Sequence, residues 1–212
     1  LAWLLAAVCT GWGSEAMLDA YEAERLPITD QVSRHAMDHA EKMIRNREAI
    51  PADLEAPGAS GQATRARYGR AMEELNVAQY CCAGLNFGYY YDRSPLIEAD
   101  GVAPAYTMAD YTPSTVPGCR TPHRWLADGT SLYDHLGTGY LVVGSPDALG
   151  RADINAVVGV AERRGIPLDR IGVQDWGDEP LLITRADGHT AWRGAVVEQP
   201  EVLLDRLSGR GR

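Results

Sequence analysis

LLITRADGHTAWRG, Leu181 to Gly194, sets two short runs of strand-forming residues on either side of an Asp-Gly pair. Leu181 to Thr184 and Thr190 to Arg193 are expected to pair around Ala186 to His189, with Asp187-Gly188 supplying the turn. Working outward, Tyr140 to Val143 reads as a short buried strand, Ala152 to Arg164 as a helix and Ile171 to Gln174 as a second strand. Val202 to Leu207 closes the chain as a helix. The order β, α, β, hairpin, α specifies a mixed α+β or α/β domain over residues 118–212.

The upstream half is helical in pattern. Leu1, Leu4, Leu5 and Val8 recur at helical spacing, with Trp3 and Trp12 adding apolar area. Gly11 and Gly13 break this helix, and Ser14 followed by Glu15 is a good start for the next. That second helix carries Met17, Leu18 and Tyr21 and is expected to end near Pro27. Thr29 to Arg47 forms a third, with Ile28, Val32, Ala36, Ala40 and Met43 along one side. PADLEAPGASG, residues 51–61, reads as a loop, Ala63 to Leu75 as a helix, and GLNFGYYYDRSP, residues 84–95, holds an aromatic strand. Three segments follow, 1–28, 29–117 and 118–212. The first has no initiator Met and an apolar run in its opening turns, so it reads as the middle of a protein.

Composition narrows the function classes. A chain of 212 residues with 45% hydrophobic content can bury a substantial core. With 29 acidic against 20 basic residues the net charge is −9, a field that repels a phosphate backbone, so nucleic acid is not an expected partner. The opening apolar run is too short to span a bilayer. The four cysteines, Cys9, Cys81, Cys82 and Cys119, lack metal-ligand spacing and read as free thiols of a cytoplasmic protein.

Three stretches then carry a resemblance. The Leu-Ala-Trp-x-Leu-Ala helix with its Gly-Trp-Gly break leads into YEAERLP, Tyr21 to Pro27, and is similar to the end of the FAD domain in flavin-dependent aromatic (phenol-type) hydroxylases, class A flavoprotein monooxygenases. TPSTVPGCRTPHRWLADGTSLYDHLGTGYLVV, Thr112 to Val143, resembles the segment that leads into their C-terminal domain. LLITRADGHTAWRG resembles their terminal Asp-Gly-His-x-Ala-Trp-Arg hairpin. Three motifs in order identify the chain as the C-terminal portion of such an enzyme: the end of an FAD domain (1–28), a helical and wrapping segment (29–117) and a thioredoxin-like C-terminal domain (118–212).

The resemblance implies an enzyme in which NADH or NADPH reduces FAD and oxygen is transferred to a phenolic ring, the protein holding the flavin and excluding water. The family's Gly-x-Gly-x-x-Gly turn, its later Gly-Asp segment and its Gly-rich loop have no counterpart in the sequence. The expectation is therefore no tight FAD on this chain alone, and activity only with an N-terminal FAD domain in cis or trans. The rival expectation is a noncatalytic thioredoxin-like scaffold or dimerisation module, which leaves a homodimer open. Thiol redox chemistry is not expected, because Gly139 to Asp147 holds no cysteine where a thioredoxin keeps its pair. Pro180, just before the hairpin, sits where thioredoxins keep a cis-proline, which suggests a cis Glu179-Pro180 bond.

Individual residues sort as follows. Tyr89 and Tyr91 are candidate substrate contacts, since alternation in a strand sends both to one face. No catalytic, cofactor-binding or metal-binding residue is assigned. His35 and His39 have an i, i+4 spacing that suits a metal, but lie on the apolar stripe and read as packed histidines. Asp134 and His135 beside Ser131 hold triad letters without triad separation. His123 and His189 match family positions that read as structural. Glu22, Glu24 and Arg25 read as an ion-paired corner between two helices.

Overall fold

The computed structural model describes residues 1–177 and 179–211. The strands are β1 (Tyr140–Gly144), β2 (Leu168–Gly172), β3 (Leu181–Arg185) and β4 (Thr190–Gly194). The helices are α1 (Ala2–Cys9), α2 (Ala16–Glu48), α3 (Gly58–Tyr80), α4 (Pro146–Leu149), α5 (Ala152–Arg164) and α6 (Pro200–Leu207). The chain forms two compact units, one of Leu1–Leu26, Tyr89–Ala105 and Thr112–Arg212, the other of Pro27–Gly88 and Tyr106–Tyr111. These cut the chain differently from the three expected segments, because the first 26 residues pack with the C-terminal sheet.

The first unit is built on a four-stranded sheet in the order β2-β1-β3-β4. β1 and β2 are parallel, joined through α5, while β3 is antiparallel to β1 and to β4. This is the expected β, α, β, hairpin, α order. β1, YLVVG, is buried along its whole length because both faces of the central sheet are covered. Alternation sorts its residues: Tyr140 and Val142 join Ile183, Ile154, Leu204 and Leu207 on one face. Leu141 and Val143 join Leu132, Leu182 and Trp176 on the other. The first face also receives Leu4 and Ala7 of α1 and Met17 and Ala20 of α2. Leu5, expected to be on the apolar stripe, is instead exposed.

The chain end fastens this arrangement. Tyr140 Oη donates to Leu207 O at 2.6 Å, and Ser14 Oγ donates to Gly209 O at 2.6 Å. Gly209 has φ +71 and lies so close to Ser14 and Met17 that a Cβ would collide with them. At the hairpin, Gly188 takes φ +80 and donates its N–H to Arg185 O at 2.9 Å, which closes the Asp-Gly turn.

The second unit is a helical hairpin of the remainder of α2 with α3. Tyr68 Oη donates to Asn46 O at 3.1 Å, and Thr64 Oγ1 donates to Asp53 in the connecting loop at 2.7 Å. Here α2 does not stop at Pro27 but runs through it as one 33-residue helix. Proline removes one backbone donor, and the packing of both flanking stretches outweighs that loss. The inward face is also rotated from the expected stripe: Ile28 and His39 are buried and Val32, His35 and Met43 half-buried, whereas Ala36 and Ala40 are exposed. Residues 84–88, part of the stretch expected to hold a strand, form a single π-helical turn held by Leu85 N–H on Met108 O at 3.0 Å. A side chain at Gly84 would strike Thr107 O, so only glycine permits that close approach.

The Glu179-Pro180 bond is trans, not cis. The trans form is the default by about 0.5–1 kcal/mol, and Pro180 O is satisfied by Trp176 Nε1 at 3.1 Å in this geometry.

Tyr140→Phe strands the buried Leu207 carbonyl without its donor. The expected result is a loss of about 1–2 kcal/mol in urea unfolding, with an unchanged far-UV CD spectrum.

Candidate functional site

Buried polar residues concentrate where the hairpin meets the first helices. Arg185 ends β3 with no exposed surface at all, an unusual position for a charge and one that requires partners. Its fork is bidentate to Glu24, Nη1 to Oε1 at 2.5 Å and Nη2 to Oε2 at 2.7 Å. It also holds Asp187 in the turn, Nε to Oδ1 at 3.1 Å and Nη2 to Oδ2 at 2.6 Å. Trp3 and Tyr91 lie over the guanidinium at 5.0 and 5.2 Å from their ring centroids. Ser94 Oγ donates to Glu24 Oε1 at 2.5 Å while accepting Leu96 N–H at 3.1 Å.

Charge states follow from this geometry. Burial pushes the Asp187 carboxyl up, but the adjacent Arg185 charge more than offsets it and holds the carboxyl well below the usual range. Burial likewise works against the Arg185 cation, and Asp187 with Glu24 more than restores it. Burial, reinforced by Asp187, pushes the Tyr91 phenol well above its ordinary value, so it stays neutral. With both carboxylates occupied, neither is free to act as a base.

The candidate substrate contacts lie beside this cluster. The Tyr91 ring is buried, 4.3 Å from the His189 ring, and its hydroxyl accepts from Arg25 Nη1 at 3.3 Å. Tyr89 is half-buried, 5.3 Å from His189, with Arg25 over its ring at 5.4 Å. Both tyrosines thus face His189, although the backbone there is irregular rather than a strand. His189 is 1% exposed and neither ring nitrogen has a hydrogen-bond partner, Nδ1 lying 3.5 Å from Asp187.

Glu24 is the residue that sequence reasoning misplaced. A continuous α2 leaves no helix corner for it to close, so it turns inward to Arg185 while Arg25 goes to Tyr91 and Glu22 is exposed. The available signal was Arg185 itself, a cation at the end of an apolar central strand.

Elsewhere, no group of three potential metal ligands exists among the described residues. His35 Nε2 lies 4.0 Å from Cys82 Sγ, and His39 is buried apart from it. Ser131 and Asp134 form a capping box on the short turn Leu132–His135, which accounts for their proximity. Ser131 Oγ also meets His123 Nε2 at 2.9 Å on the surface. As a test for a dinucleotide, the turn after β1 is informative: Ser145 caps α4 on Ala148 N–H at 3.3 Å and Pro146 fills the first helical position, leaving no glycine cradle for a pyrophosphate. The first turn of α1 has no side-chain cap and leaves amides free, one helix end and no more. The described residues alone do not fit a whole FAD.

Residues 1–36 match the FAD binding domain family. The chain is 28% identical to the FAD-dependent monooxygenase opdD of Penicillium oxalicum across 96% of its own length and 42% of that protein. It is 29% identical to phenol 2-monooxygenase of a Pseudomonas species across 99% and 40%. The chain resembles FAD-dependent aromatic hydroxylases. It spans roughly two fifths of the curated relatives it matches, and corresponds to the C-terminal part of this family. Among solved structures it superposes on the rebeccamycin biosynthetic enzyme RebC with reduced flavin at a TM-score of 0.82, with 27% identity, over 98% of this chain and 39% of that one. No helix among the described residues is long and apolar enough to cross a membrane.

Glu24→Gln leaves the buried Arg185 cation under-compensated and is expected to cost about 3–5 kcal/mol in chemical denaturation, whereas a Glu24→Leu/Arg185→Met/Asp187→Asn triple variant, which removes all three charges together, recovers most of that loss. Asp187 contributes stability that is complete above the unfolded carboxylate range, about pH 4, and declines as pH falls toward its depressed native value. An acid titration of stability should therefore fall less steeply below about pH 4 in Asp187→Asn than in the parent.

Proposed function

We propose that this chain serves as the C-terminal portion of an FAD-dependent monooxygenase that hydroxylates a phenolic or related aromatic ring with NAD(P)H and oxygen. It works joined or docked to an FAD-binding portion, in cis or in trans. One observation carries the reading: the segment that matches the FAD-binding family gives Leu4, Ala7 and Met17 to the core of the sheet unit, and its Glu24 to Arg185. A piece of FAD-domain helix built into the C-terminal core is what a chain needs if its sheet unit is to fix the position of a flavin-binding domain.

In this reading residues 1–28 are the end of that domain. The sheet unit is a thioredoxin-like scaffold whose Ser145-Pro146 turn carries no thiol chemistry. Bound FAD would supply hydride acceptance and oxygen activation. The residues of this chain would brace α1 and α2 beneath it and exclude water through the Trp3, Trp12 and Tyr140 cluster, whose ring centroids lie 5.9–6.4 Å apart. Tyr89, half-buried, is the better placed of the two candidate aromatic contacts for a ring substrate.

The test is the visible absorption spectrum of the purified chain after incubation with excess FAD and desalting, with intact mass alongside. The expected result is a colourless protein that forms no hydroxylated product from phenol with FAD and NADH or NADPH. Stoichiometric flavin retained at the mass of this chain alone overturns dependence on a second portion.

A further inference from the structure

The sheet has an edge that the family assignment does not use. β2 is the terminal strand beside β1. The ladder begins with Tyr140 N–H on Pro167 O and ends with Val173 N–H on Gly144 O, each at 2.9 Å. In a parallel ladder this turns the backbone of 167, 169, 171 and 173 toward β1, so the N–H and C=O groups of Leu168, Arg170 and Gly172 line the open edge.

Alongside that edge runs a groove. Two adjoining hollows of about 430 and 610 Å³ share Leu126, Ala127, Gly172 and Gln174. Leu126 and Ile171 form an apolar floor over the smaller core cluster. Trp125 stands at one end with 72% of its surface exposed, a large apolar group left in water.

Its carboxylates outnumber its cations, with Asp128, Asp169 and Asp175 against Arg124 and Arg170. Asp169 and Asp175 line the groove, are exposed, and have no ion-pair partner among the described residues. Of the two arginines in the lining, Arg124 is paired with a carboxylate, while Arg170 keeps its positive charge and spends its donors on neutral acceptors. Arg124 pairs with Glu179 and stacks over Trp176 at 5.0 Å, and Arg170 donates to Asn155 Oδ1 at 3.1 Å. The chain as a whole carries a net charge of −9.

We propose that β2 and this groove form a docking site for an extended basic segment of another protein, added as a strand antiparallel or parallel to β2. Its backbone pairs with Leu168, Arg170 and Gly172. Its side chains on the groove face place apolar groups on Leu126, Ile171 and Trp125, and Lys or Arg ends against Asp169 and Asp175. A second copy of this chain is the poorer occupant. Full antiparallel overlap of β2 with itself sets Arg170 opposite Arg170, and a shift that centres on residue 169 sets Asp169 opposite Asp169. A nucleic acid is repelled by the same carboxylates.

The probe is an acetylated, amidated peptide of alternating valine and lysine, titrated into the full chain by calorimetry. Controls are a valine-glutamate peptide and a valine-lysine peptide with N-methyl groups on alternate amides, which leave its charge intact. The expected result is saturable binding of the valine-lysine peptide alone, weakened about tenfold in Asp169→Asn/Asp175→Asn and by added salt. Circular dichroism of the free variants confirms that they are folded. Absence of binding overturns the proposal. So does equal binding of the N-methylated peptide, which would mean charge attraction without strand addition, or self-association at the same edge in sedimentation that competes with the peptide.

Discussion

A fully buried guanidinium is the constraint that organises the sheet unit. Arg185 has five donors and no access to water, so carboxylates must come to it. Asp187 arrives because the Asp-Gly turn folds it back beside its own strand. Glu24 arrives from a helix 161 residues earlier in the chain. The hairpin turn through Asp187 and α2 through Glu24 converge on one side chain, and Ser94 joins them through Glu24. Such a pair contributes little net stability compared with an apolar replacement, but it tolerates few alternative arrangements, and that is its value here.

The outline of the fold was legible because it rests on short-range chemistry. Val and Leu in β1, the Asp-Gly turn and the α5 pattern each specify their element locally, and the structure has all of them. What sequence misjudged depended on distant contacts. Pro27 signals a helix end by its own chemistry, yet α2 passes through it because packing on both sides holds the helix. Ala36 and Ala40 looked apolar, but they are exposed, and the covered side of the helix runs through His35 and His39 instead. Tyr89 to Tyr91 has strand-forming composition without a neighbouring strand to pair with.

The candidate site shows the same division. Each member was visible as a letter: Glu24 in YEAERLP, Arg185 and Asp187 in the hairpin, Tyr91 in the aromatic run. Their convergence was not, because nothing local in Glu24 distinguishes a buried ion-pair partner from Glu22, two positions away and exposed. Only the cation at the end of an apolar central strand hinted that a distant carboxylate had to exist. The family resemblance located the hairpin and the first helices separately, and the geometry joins them.

The 161-residue separation between Glu24 and Arg185 also sets an order of events during synthesis. A ribosome adding about 5–20 residues per second needs roughly 8–32 seconds to make Arg185 after Glu24. For most of that interval Leu4, Trp12 and Met17 have no strand to pack on, and even after β1 and β2 are made the sheet lacks β3 and β4 until Arg185 and beyond. The nascent chain therefore presents a sticky apolar helix pair early and buries it late. Late burial of early apolar residues is thus built into this topology, and the interval before the arginine arrives is when they are most open to aggregation.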